Sequence, residues 1–166
     1  MPVDSRPVVA ADRPFLLDLY IATRAAEFSA LGWSPEALRA FLEQQYRARE
    51  AGWAVSSPDG DDRVLVRDRR PIGRLVIDRR PDGIRVVDVA VVPAEQGRGI
   101  GSAVLRRVLE EADAARVPVT LHVVTTNPAL RLYERLGFVP VSEDGIRVLM
   151  ERASPDPAVA QPNTAT

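Results

Sequence analysis

The sequence predicts an α+β domain (α/β in some schemes) built on a mixed central sheet of about six to seven strands with flanking helices. Three observations point to it. Two amphipathic helical stretches come first, then three β-branched runs separated by short turn clusters. A glycine-rich turn, an amphipathic helix and a further apolar strand follow. Short links between β-branched runs make an antiparallel meander, whereas strand, crossover helix and strand make a parallel, right-handed pair. With 166 residues and 46% apolar content, the chain has the length of one domain and enough apolar mass for a core.

Residues 7–10 form a short apolar stretch that reads as a first strand. Asp12 then reads as the N-cap of a helix to about Phe28, with Phe15, Leu16, Leu19, Ala22 and Thr23 at helical spacing. Ser34 and Pro35 are a capping serine and a proline at the first helical position, and the helix they open fades near Gly52. Residues 64–66, 72–77 and 84–92 are the β-branched runs, and the clusters at 68–71 and 79–83 turn the chain between them. A helix over residues 99–115 leads to a strand over 119–124. A short helix over 128–136 ends at Gly137, and residues 140–143 and 146–150 make a closing hairpin around Asp144 and Gly145. The expected domain is residues 1–153. Residues 154–166, proline-rich with almost no bulky apolar side chain, read as a disordered tail.

Composition narrows the chemistry. The net charge is −1, with 22 basic and 23 acidic residues intermixed, so no basic stripe suggests nucleic acid or a membrane surface. Every basic residue is arginine; the chain has no lysine and no cysteine. Disulfides, a thiol nucleophile, a lysine Schiff base and a phosphate-loop lysine are therefore excluded. One histidine argues against zinc, and no metal is expected. With neither a signal-peptide-like N-terminus nor a run of about 18 apolar residues, the expected location is the cytoplasm.

Gln96, Gly97, Arg98, Gly99, Ile100 and Gly101 stand between an apolar strand and an amphipathic helix. Glycines let backbone approach a ligand closely, and a helix N-terminus presents N–H groups with a partial positive charge. The combination suits a phosphate without lysine. The dinucleotide fingerprint fails, because Ser102 stands where its third glycine belongs and no acidic residue follows the next strand near Val123 and Val124. From the hexapeptide alone, a plain strand-to-helix turn stays open.

Gln-x-x-Gly-x-Gly after a strand ending Val91-Val92-Pro93 resembles the coenzyme A loop of the GNAT superfamily of N-acetyltransferases. About 30 residues later, Asn127 followed by Leu132-Tyr133-Glu134-Arg135-Leu136-Gly137-Phe138 resembles that superfamily's second signature. The resemblance covers roughly residues 84–150. It implies acetyl-CoA as co-substrate and a parallel strand pair that splays to admit the pantetheine arm. It also implies that Val89, Ala90 and Val91 pair with pantetheine through their main chain. The amides of Gly97, Arg98, Gly99, Ile100, Gly101 and Ser102 would bind pyrophosphate, with Asn127 beside the pantetheine arm. Arg98 adds a possible charge-assisted phosphate contact, against the alternative of a solvated arginine.

Without cysteine, direct attack by an amine in a ternary complex is favoured over a covalent acetyl-thiol route. By resemblance Tyr133 is the general acid for the departing thiolate, and the N–H of Val91 polarises the carbonyl. The base is open between His122, Asp88 and water. Glu27 is placed to attract a cationic acceptor, and Phe28, Trp33, Tyr46 and Trp53 either wall its pocket or belong to the core. The acceptor would be a small-molecule amine or a peptide N-terminus, and relatives suggest a homodimer. A non-catalytic acyl-CoA sensor is the competing reading; it would need the loop and neither Tyr133 nor a base.

Overall fold

Helix and strand signals in the sequence resolve, in the computed structural model, into eleven elements across the described residues 3–155. In chain order these are β1 (Asp4–Pro7), α1 (Arg13–Arg24), α2 (Pro35–Ser56), β2 (Asp61–Arg67), β3 (Arg70–Arg80) and β4 (Gly83–Val91). Then come α3 (Ile100–Ala115), β5 (Val119–Val124), α4 (Leu130–Arg135), β6 (Val139–Glu143) and β7 (Arg147–Arg152). Short 3₁₀ turns occupy Ala10–Asp12, Ala25–Leu31 and Pro93–Glu95. The strands form one seven-stranded mixed sheet in the order β1-β2-β3-β4-β5-β7-β6, with a single parallel pair, β4 and β5, joined by the α3 crossover. The mixed sheet with flanking helices is the expected fold class. The expected tail lies, from residue 156, outside the described residues.

Three local expectations are corrected. The first strand is Asp4–Pro7 rather than residues 7–10, and all four of its residues are exposed. It is the sheet's polar edge, held by pairing of Asp4 with Val66 and Pro7 with Arg63, and by the Arg63 guanidinium on Ser5 Oγ (2.9 Å). Asp12 holds the expected N-cap position of α1, but its side chain makes no cap bond to the helix. Its carboxylate accepts the Val9 N–H (2.9 Å) and a bidentate pair from Arg6 (2.7 Å each), closing the 3₁₀ turn instead. The α-helix also stops at Arg24 rather than Phe28. Thr23 Oγ1 donates back to the Leu19 and Tyr20 carbonyls near that end, and the chain tightens into the 3₁₀ segment that follows.

Elsewhere the local logic holds. Ser34 Oγ accepts the Ala37 N–H (3.2 Å) and Pro35 opens α2, which continues past Gly52 to Ser56 because Trp53 packs onto neighbouring side chains. Contacts divide the chain into two compact units. The first, Met1–Arg79 with Val86–Val104, holds α1, α2 and the meander around Leu16, Leu42, Val64, Leu65 and Ile77. In the second, Arg80–Arg85 with the chain from Leu105, Leu121 and Met150 pair across β5 and β7 in a core that includes Val119 and Phe138. Arg152 reaches from β7 to Asp113 on α3 in a two-bond ion pair. Among the described residues no helix is long and apolar enough to cross a membrane.

Candidate active site

The turn into α3 is built by two left-handed residues. Gly97 (φ +72) and Gly99 (φ +76) adopt a conformation that side chains disfavour, and a Cβ at either would meet nothing within 4 Å. The backbone here is therefore bent by its own geometry, with open space beside it. The first intrahelical bond of α3 is Ala103 N–H to the Gly99 carbonyl (2.9 Å), so the N–H groups of Ile100, Gly101 and Ser102 precede the helical ladder. Gln96 turns its amide back and donates to the Val91 carbonyl (2.9 Å), tying the loop to the end of β4. Glu95 pairs with Arg67 of β2 and, at 3.6 Å, with Arg98, whose side chain remains 59% exposed.

β4 carries Asp88, Val89, Ala90 and Val91. On its β3 side, Val92 N–H donates to the Ile72 carbonyl (2.8 Å), and Gly73 lies so close that a Cβ there would stand 2.4 Å from the Ala90 carbonyl oxygen. The Asp88 side chain is 18% exposed and lies 3.7 Å from Arg49 of α2. Burial raises its proton affinity, Arg49 and Arg74 pull it down, Glu50 adds to the rise and Arg24 opposes it. Arg49 in turn stacks over Tyr20 (4.4 Å to the ring centre) and Trp53 (4.2 Å). Beside it, the buried Arg74 of β3 bonds Glu50 (2.6 and 2.9 Å) and Asp62 (2.8 and 2.6 Å).

The aromatic residues separate into two groups. Phe28 and Trp33 both meet Phe41 edge-on, at 5.3 and 5.2 Å, with Trp33 46% exposed. Tyr46 and Trp53 belong instead to the group around Arg49, and Tyr20 meets Tyr46 at 5.5 Å. Glu27 is exposed and has a cation of its own nearby, Arg24 at 3.8 Å.

The remaining predicted residues lie in the second unit. Tyr133 is buried and packs edge-on against Phe138 at 5.9 Å. Asn127 Oδ1 accepts the Ala129 N–H (2.9 Å), a bond that starts the turn into α4. His122 is exposed on β5. Partial desolvation, then Arg85 and Arg147, depress its proton affinity, with Asp144 opposing.

A family model described as an acetyltransferase (GNAT) domain matches residues 60–140, the span from β2 through the glycine turn and α4. Over that span the chain is similar to a GNAT acetyltransferase domain. A mycothiol acetyltransferase of Clavibacter michiganensis is 34% identical over 101 residues, 54% of this chain and 33% of the relative, so the match spans about a third of that protein's length. Among solved structures, the PaiA N-acetyltransferase of Thermoplasma acidophilum in complex with coenzyme A superposes with a TM-score of 0.71 at 17% identity. That superposition covers 92% of this chain and 99% of the other. The ribosomal-protein-S18-alanine N-acetyltransferase of Escherichia coli gives 0.61 at 21% identity, covering 99% and 100%. A histone acetyltransferase HPA2 and related acetyltransferase of Corynebacterium glutamicum gives 0.64 at 26%, covering 96% and 100%.

Sequence reasoning missed the ionic network around α2. Arg49, Glu50, Asp62 and Arg74 were not singled out, although one signal was present. Tyr46, Arg49, Glu50 and Trp53 stand at helical spacing, which puts charges on the same face as two aromatics. Gly73 was also passed over; a glycine inside an apolar strand run marks a close backbone approach.

Proposed function

We propose that this chain is a GNAT enzyme that transfers an acetyl group from acetyl-CoA to an amine by direct attack within a ternary complex. One observation carries the reading: two left-handed glycines, each with open space where a Cβ would stand, deliver the backbone into the N-terminus of α3, where three N–H groups precede its ladder. That donor set fits a diphosphate, and fits it without lysine. In this reading the amides of Gly97, Arg98, Gly99, Ile100, Gly101 and Ser102 hold the pyrophosphate. Arg98 leaves Glu95 to add a charge, and Gln96 holds the loop in shape through Val91. The main chain of Val89, Ala90 and Val91, with Asn127, takes the pantetheine arm.

Acetyl-CoA supplies an acetyl group already activated as a thioester, so its C–S bond breaks as the N–C bond to the acceptor forms. The residues have three tasks. Asp88 takes a proton from the ammonium, for which burial has already raised its proton affinity. Val91 N–H donates to the thioester oxygen; Val92 donates toward β3, and alternation along the strand turns Val91 to the opposite edge. Tyr133 gives its proton to the departing sulfur. The acceptor is a small-molecule amine or a peptide N-terminus, met by Glu27, Phe28 and Trp33. Relatives named for mycothiol and for the alanine of a ribosomal protein support both kinds.

The test is a melting shift with acetyl-CoA followed by thiol release over a panel of amines. We expect stabilisation by acetyl-CoA and release with at least one amine. Stabilisation without release from any amine would favour the sensor, and no affinity for any CoA derivative would end the reading. With an acceptor in hand, Tyr133→Phe should cut turnover strongly. Asp88→Asn should abolish the acidic limb of the rate profile, whereas its loss in His122→Gln would move the base to His122, and its survival in both would implicate water.

A further inference from the structure

The aromatic and ionic cluster beneath α2 contains a cation whose arrangement differs from that of its neighbour. Arg74 is fixed by four hydrogen bonds to Glu50 and Asp62, all between 2.6 and 2.9 Å. Arg49 stands 3.7 Å from both Glu50 and Asp88, beyond hydrogen-bond reach, and among the described residues its buried Nε has no hydrogen-bond partner. Its place is set by rings instead: Tyr20 at 4.4 Å, Trp53 at 4.2 Å and, farther out, Tyr46 at 5.8 Å. The Glu50 carboxylate is already committed to Arg74. The charge of Arg49 is thus left to act on Asp88.

We propose that Arg49 is a positioning residue for the reaction, a cation clamped by aromatic rings beside Asp88 that sets how readily this carboxylate takes and releases a proton. The proposal rests on the reading of Asp88 as the base. A cation held by the carboxylate itself would be released whenever that carboxylate took up a proton. One held by Tyr20 and Trp53 keeps its place in both protonation states and acts as a constant field. Other charges face Asp88 as well: Arg24 from α1, Glu50 from α2 and Arg74 from β3, the last carrying Asp62 of β2 with it. The network from Asp62 through Arg74, Glu50 and Arg49 to Asp88 alternates in sign and ends on a carboxylate. Asp88 can therefore change charge without stranding a partner elsewhere. Removing Arg49 takes away the nearest opposing charge, so the neutral acid is favoured and Asp88 should hold its proton to higher pH.

Two readouts test this. The first is independent of turnover: Asp88 is titrated in the unliganded protein by carboxyl carbon NMR with labelled aspartate, its signal assigned through Asp88→Asn. In Arg49→Gln or Arg49→Met the midpoint should rise by about one pH unit, a tenfold change in proton affinity, or more. Arg49→Lys, which keeps the charge, should stay much closer to the parent protein. An unmoved midpoint in either neutral variant, shown folded by circular dichroism, overturns the proposal. The second readout is the rate profile with a working acceptor, whose acidic limb should move up in step with the midpoint. A risen midpoint with an unmoved limb supports the coupling of Arg49 to Asp88 and removes Asp88 as the base, so the two readings fail separately.

Discussion

Replacing Gly73 by alanine offers a test of how tightly β4 must be held. The added Cβ would stand 2.4 Å from the Ala90 carbonyl oxygen, 3.4 Å from the Ala90 carbonyl carbon and 3.0 Å from Leu65 Cδ1. Leu65 can yield, because Cδ1 is the end of a rotatable side chain. The Ala90 oxygen is backbone in the middle of the proposed pantetheine strand and can move only if the strand moves. To reach the 3.0 Å that real Cβ atoms tolerate, β4 must retreat from β3 by roughly 0.6 Å. Overpacking of this kind costs about 1–3 kcal/mol, which for a chain of this length lowers the melting temperature by about 2–12 °C.

The functional cost should be separable from the structural one. A misplacement of about 1 Å can cost on the order of 100-fold in rate, so a shift of somewhat over half that should cost roughly tenfold in kcat/KM. The assays are thermal melting by circular dichroism, acetyl-CoA binding by calorimetry and thiol release with a confirmed acceptor. The expected outcome is a modest loss of stability, weaker acetyl-CoA binding and the rate loss together. A variant that melts within about 1 °C of the parent and turns over normally would show that the contact is absorbed without moving Ala90, and the reasoning would fail.

Arg74→Met leaves Glu50 and Asp62 without their shared cation; because both carboxylates are 31% exposed and can rehydrate, the loss belongs at the low end for a buried pair, about 3 kcal/mol or 6–12 °C in melting temperature. A melt shifted by less than about 2 °C would argue against a structural role for the network. Gly99→Val forces a β-branched side chain into φ +76 where no neighbour obstructs it, so any loss is conformational; acetyl-CoA affinity by calorimetry should fall, with Gly99→Asn retaining more of it. Asp12, held down to about 2 first by Arg6 and then by the Val9 N–H, contributes stability that is fully present above the ordinary carboxylate range and lost as pH falls from about 4 toward 2. Acid titration of the folded fraction should show that limb in the parent and lack it in Asp12→Asn.

What the sequence disclosed follows from how local each feature is. The glycine turn, α3 and β5 were readable because two glycines, an amphipathic period and an apolar run all lie within a few turns of chain. The first strand was misplaced because Asp4–Pro7 is an exposed edge, stabilised by β2 partners some sixty residues away and carrying no apolar alternation of its own. The insertion of β7 between β5 and β6 had no local sign at all; strand order is a property of pairing, and a hairpin sequence reads the same whichever arm meets β5.

The candidate site shows the same division. Asp88 was visible as a carboxylate among valines, and its raised proton affinity follows from that burial. The cation beside it was not visible, because Arg49 acquires meaning only when the fold brings Tyr20, Trp53 and Asp88 close to it. The lysine-free composition takes on a second sense here. At the sequence level it removed certain chemistries. In the fold it coincides with two arginines that perform tasks an ammonium performs poorly: Arg74 forks between two carboxylates, and Arg49 is held over the rings of Tyr20 and Trp53. A planar cation can be fixed by stacking and leave its charge to act on a neighbour, and under the proposal above this would let the half-buried Asp88 on β4 exchange a proton while its surroundings stay in place.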